Sequence, residues 1–172
     1  MKRLFIFAII LPLAFASFYS CSSKSSDNDI VSFFTEGLTK YALEPFGANS
    51  IHSEIIQKDK QFADWGRTFE SKNIMMISKK ASFGEMSIQT MGNPYTTMIK
   101  KNVLLEYDSY LNSKEKIFDE VVNRASEKTG ILFEREGFNC YGSNDHISIN
   151  IFLLVGDDIC IALQVNNLTS NN

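Results

Sequence analysis

The chain has 172 residues, 44 % of them hydrophobic and 22 % charged, with a formal net charge of −3 and three cysteines. A mildly acidic chain lacks the electrostatic footprint of a protein that binds nucleic acid or anionic headgroups. The first element is an export signal: Lys2 and Arg3 precede an apolar run from Leu4 to Ala16, followed by Ser17-Phe18-Tyr19-Ser20-Cys21. That run is too short for a spanning helix, which needs about 20 apolar residues. Removing residues 1–20 leaves 152 residues with 15 Lys and Arg against 20 Asp and Glu. This is enough chain for one domain, expected over 30–166, whose core folds without staples.

Ser20, Cys21 and the polar stretch Ser22-Ser23-Lys24-Ser25-Ser26-Asp27-Asn28-Asp29 give the N-terminus a resemblance to bacterial lipoproteins, in the looser form found in Bacteroidota. The resemblance covers about the first 29 residues and implies that Cys21 is acylated and becomes the mature N-terminus. Phe18 stands where the usual motif has Leu. The membrane partner is then the bilayer that takes the lipid, and residues 21–29 form a flexible tether. Lys24 with Asp27 and Asp29 is similar to the signal that sends some of these lipoproteins to the outer surface, so the expected address is the outer membrane, periplasmic or surface-exposed. The same stretch holds Ala14-Phe15-Ala16, an A-x-A site whose use would release a soluble protein with a free Cys21.

Next comes a helix predicted from Asp29 to Glu44, in which Ile30, Phe33, Phe34, Leu38, Tyr41 and Ala42 form one apolar stripe. Strands are predicted at Ile51 to Lys58, Ile74 to Lys79, Phe83 to Met91 and Tyr95 to Tyr107. Phe62, Trp65 and Phe69 lie in the weakly periodic segment Gln61 to Ser71, read either as a lid that binds a ligand or as a loop anchored in the core. A second helix, capped by Asn112 or Ser113 and ended by Gly130, buries Ile117, Phe118, Val121, Val122 and Ala125. A three-stranded meander follows at Ile131 to Cys140, Ile147 to Val155 and Ile159 to Asn166, with residues 167–172 as a disordered tail. A helix followed by strands thus occurs twice, although no residue-level repeat accompanies it.

The expected fold is α+β, with two helices packed on one face of a mostly antiparallel sheet of six or seven strands. A turn at Tyr141 to Asp145 would set Cys140 opposite His146, with Asp145 beside them, making these the least poor candidates for nucleophilic chemistry. The same register separates Cys140 from Cys160 by about eight residues along the middle strand, or roughly 26 Å, well beyond disulfide reach. His52, Glu54, Asp64, Asp157 and Asp158 fit no metal-ligand spacing, and no glycine-rich phosphate loop is present, so no cofactor or metal is expected. The leading functional reading is a non-catalytic envelope module that binds another envelope protein, a peptide or a small ligand, an immunity or inhibitor protein being a special case. The alternative is an envelope enzyme whose site spacing does not reveal.

Overall fold

A computed structural model describes residues 26–44, 65–70, 74–92 and 97–168, with the backbone alone at 67–70. The predicted strand at Ile51 to Lys58 and residues Phe62, His52, Glu54 and Asp64 lie outside the described residues. Residues 26–35 are helical (α1), so 26–29, expected in the tether, already belong to the domain. Ile30, Val31, Phe33 and Phe34 bury one side of this helix. The single helix expected as far as Glu44 is broken at Gly37, whose φ of 79° is left-handed, and a second helix (α2, Leu38–Leu43) starts beyond it. Glycine reaches that conformation without the Cβ penalty that other residues meet.

The eight strands are β1 (Gly66–Glu70), β2 (Ile74–Ala81), β3 (Gly84–Gly92), β4 (Thr97–Leu105), β5 (Glu134–Glu136), β6 (Asn139–Ser143), β7 (Ile147–Val155) and β8 (Ile159–Asn167). They form one antiparallel sheet in the order β1-β2-β3-β4-β8-β7-β6-β5. Between β4 and β5 lie a four-residue helix (α3, Tyr107–Tyr110) and the long helix α4 (Lys114–Thr129). The α+β layout of helices on one face of an antiparallel sheet holds as expected, with eight strands among the described residues where about six or seven were expected.

Two local signals account for the difference. Gly137 is also left-handed, with φ 60°, and turns the expected strand Ile131 to Cys140 into the hairpin β5-β6. The segment expected as a loop at Gln61 to Ser71 instead supplies β1, an edge strand whose register shifts between Arg67 and Phe69. A bulge of this kind destroys the alternation by which strands are recognised. At the other end β8 continues through Asn167, and Leu168 N donates to His146 O at 2.8 Å, so the strand outlasts the predicted start of the tail.

α4 matches its sequence signals closely. Ser113 occupies its N-cap, and Gly130 ends it in the left-handed region with its N–H donating to Ser126 O at 2.8 Å. Ile117, Phe118, Val121 and Ala125 are fully buried, and they join Ile30, Phe34, Ile149, Ile151, Ile161 and Leu163 in one core. Its outer surface carries the exposed ion pairs Lys116–Glu120 and Arg124–Glu127, which contribute little to stability.

The core also contains a cation. Lys101 lies on β4 between Ile99 and Val103 and pairs with Ile88 and Leu163, so it shares the helix-facing side of the sheet. It is 7 % exposed. Its Nζ donates to Phe33 O at 2.6 Å and Glu36 O at 2.9 Å, and sits 5.2 Å from the Phe33 ring centroid. The lysine therefore caps the C-terminal carbonyls of α1, where the helix dipole favours positive charge. Lys128 of α4 adds a donation to Thr35 O at 3.3 Å. Burial holds the Lys101 ammonium down to about 8, with Glu36 opposing the shift and Lys128 adding to it.

The β2-β3 hairpin turns at Gly84, where φ is 137° and a Cβ would sit 1.9 Å from Leu104 O on the neighbouring strand. Gly84→Ala combines backbone strain with a backbone clash, and it should lower the stability read by urea denaturation by about 3 kcal/mol. Gly130→Ala, with the same sign of φ but open space around it, is the control with the smaller loss.

Candidate functional site

Strand alternation divides the sheet into a helix-covered face and an opposite face. Met98 and Ala162 are buried on the opposite face, yet neither belongs to the helix-packed core. Among the described residues no helix packs on that face. Its central rows run across five strands. One joins Ser78, Ser87, Asn102, Ala162 and Phe152; the next joins Met76, Gln89, Lys100, Gln164 and Asn150, and continues to Tyr141.

Amide and hydroxyl groups dominate these rows. Asn102 Nδ2 donates to Ser87 Oγ at 3.2 Å, Gln164 Nε2 to Asn166 Oδ1 at 3.0 Å, and Asn166 Nδ2 to Ser148 Oγ at 3.2 Å. Asn150 Oδ1 is shielded and meets no donor among the described residues. Lys100 Nζ lies 5.3 Å from the Phe152 ring centroid, a cation–π distance that places a charge beside an aromatic plate. Such a surface presents donors and acceptors in a flat array, suited to recognition more than to bond-breaking chemistry.

The other sequence candidates are dispersed. Trp65 is half-buried against the core and stacks on Phe33 at 5.9 Å with planes 25° apart. Phe69 falls on β1 opposite Met76, its side chain outside the described residues, and Phe62 lies outside them altogether.

The expected pairing of Cys140 with His146 does not occur. The β6-β7 turn is centred on Asn144 to His146, where Asn144 Oδ1 accepts from the N–H groups of His146 and Ile147 at 2.9 Å each, and this slides Cys140 opposite Ile151. Five residues, about 17 Å of strand, separate Ile151 from His146. Cys140 is buried on the helix-covered face, and burial pushes its thiol up, against the pull of Arg135. A thiol held protonated and away from a base is not an activated nucleophile.

Cys140 and Cys160 are both free. Cys160 pairs with Leu154, only three residues from Ile151 along β7 in place of the expected eight, and the sulfurs are kept apart because they project from opposite faces of the sheet. A chain starting after Cys21 should titrate two thiols when denatured without reductant. In the folded state Cys160 should react with a thiol reagent well before Cys140, and a mass two hydrogens lighter would contradict this arrangement.

Two shallow clefts adjoin the end of the sheet where the β2-β3 turn, the end of β4 and the β7-β8 turn meet. One, of about 520 Å³, is lined by Lys80, Ser82, Glu85, Leu104, Tyr107 and Asp158; the other, of about 420 Å³, by Ser26, Asp27, Glu106, Ser109, Tyr110 and Ser113. The Asp27 carboxyl is raised by burial, with Lys116 opposing and Glu120 reinforcing the shift. No cluster of three or more His, Cys, Asp or Glu suited to a metal ion occurs among the described residues. Asp157-Asp158 forms the β7-β8 turn, where Gly156 N donates to Asp158 O. No family model, curated protein or solved structure matches the chain significantly.

Proposed function

We propose that the protein is a non-catalytic binding module of the bacterial cell envelope, held at the outer membrane by a lipid on Cys21 and engaging its partner through the face of the sheet opposite the helices. The observation that carries this reading is the band of Asn102, Gln89, Lys100, Gln164, Asn150 and Asn166 laid across the central strands with no described helix over it. Charge is sparse there and hydrogen-bonding capacity is high, which fits a peptide, an envelope protein or a polar small ligand. The buried thiol of Cys140, distant from His146, leaves the enzymatic alternative without its candidate residues.

A photoreactive benzoylphenylalanine at Gln164 tests the binding face in intact cells. Adducts at Gln164 and none at Lys116, on the exposed side of α4, are the expected pattern; equal labelling or none at either position would refute it. The anchor is tested separately. Cys21→Ala should move the protein from the membrane fraction to the soluble fraction, whereas an intact mass starting at Ser17 without lipid would show release by ordinary signal peptidase.

A further inference from the structure

The lipid-anchor reading, on which this inference rests, says where the chain is held; the structure also indicates how the domain stands. Ser26 lies beside Tyr110, whose Oη donates to Ser26 Oγ at 3.0 Å, and the same cleft includes Glu106 at the end of β4. The chain therefore enters the domain at the end of the sheet bearing the β2-β3 and β7-β8 turns. From Cys21 to Ser26 is five residues, a span of at most about 17 Å. That end must stay close to the bilayer that takes the lipid.

Exposed apolar side chains gather at the same end. Leu104 and Leu154 flank Cys160 in the last row of the face opposite the helices, and Val155 follows Leu154 into the turn. Tyr107 and Leu111 lie on and just after α3. Phe138 sits in the β5-β6 turn, where its carbonyl accepts from Leu153 N. These are six of the ten exposed large hydrophobic residues among those described, with Leu154 at 56 % and Val155 at 46 % exposure. Chance scatter over a surface needs no explanation, whereas an apolar rim at the point of attachment does.

We propose that the rim of Leu104, Tyr107, Leu111, Phe138, Leu154 and Val155 rests in the interfacial layer of the bilayer that carries the Cys21 lipid, fixing the domain upright on the membrane. The occupant is a lipid surface because the anchor chain ends at this rim and leaves too short a reach for a protein of ordinary size to lie between. Glu85, Glu106 and Asp158 outnumber Lys80 in the cleft at this end, so seating is apolar and independent of anionic lipid. The amide band then stands away from the membrane.

The test uses the acylated protein in dioleoylphosphatidylcholine vesicles containing brominated phosphatidylcholine, with Leu154→Trp and Leu43→Trp read against the native Trp65. Leu43 is 70 % exposed, next to Ala42, whose carbonyl accepts from Asn144 at the opposite end of the sheet. An indole seated about 5–10 Å into the interface should lose about half its emission at position 154 and almost none at position 43. Cooperative melting of both variants confirms that they are folded. Vesicle-bound protein with both indoles equally quenched, or neither, overturns the rim proposal alone. Protein that does not float with the vesicles overturns the anchor reading as well. A photoreactive residue at Leu154 that captures a protein in cells, with no quenching in vesicles, assigns the rim to a protein partner and overturns the lipid one.

Discussion

Val121→Asp should abolish the cooperative thermal transition of the protein. Val121 is fully buried in α4 and belongs to the single core shared by helices and sheet. An aspartate there joins Ile117, Phe118, Ala125 and the isoleucines of β7 in a cluster whose described members are all apolar. Burying an unpaired carboxylate costs several kcal/mol, comparable with the whole stability of a domain of this size. Circular dichroism on heating checks it. A melting temperature within a few degrees of the parent would remove α4 from the core, whereas Glu120→Ala on the exposed side should change almost nothing.

The second large effect is a pH dependence centred on Lys101. In the folded protein this ammonium is held down to about 8 from an ordinary 10.5. Between those values the unfolded chain binds the extra proton and the folded chain does not, so stability rises with pH across that window. At 1.36 kcal/mol per unit, the rise amounts to about 3 kcal/mol from pH 7.5 to 10.5. Lys101→Met keeps the length of the side chain but cannot titrate. Urea midpoints of the two proteins, followed over that range, should diverge in favour of the parent as pH increases; parallel curves would mean that burial does not lower the proton affinity of Lys101 in the fold. Subtracting the variant removes the titration of other lysines and tyrosines, which both proteins share.

How much of this was legible in the sequence depends on whether the signal is local. α4 is marked at both ends, by Ser113 and Gly130, and its stripe has one period, so it emerges at its true position. β7 and β8 alternate cleanly and also emerge intact. Gly37 and Gly137 carry the opposite lesson: a left-handed turn is a local event, but a glycine within an otherwise periodic run does not say whether the run continues. The one-residue detail of the Asn144 turn was not readable either, and it moved Cys140 from His146 to Ile151. Register depends on turn geometry, and a turn misplaced by a few residues relocates every cross-strand neighbour.

Lys101 was the most consequential omission. A lysine in a strand is ordinarily a mark of the solvent face, yet its parity with Ile99, Val103 and Leu105 assigns it to the interior. That parity was available in the sequence. What was not available is the pair of carbonyls from α1 that satisfy it, because they come from residues more than sixty positions away. The amide rows of the opposite face become visible only once the strand order places β4 beside β8.

That central pairing has a consequence for how the chain acquires its structure. The strands fall into two meanders, β1 to β4 and β5 to β8, each made of neighbours in sequence, and they meet along β4 and β8, whose partners are 54 to 68 residues apart. Hairpins close over short loops within microseconds, whereas a contact across such a distance must first meet a much larger entropic cost of loop closure. The contacts within each meander are therefore the cheap ones to close, and those along the seam between them are the costly ones. Until the seam forms, β4 and β8 each present a bare edge, rich in Ile, Val and Leu, and the interval in which they seek each other is the one in which the chain is most exposed to pairing with a neighbour's strand.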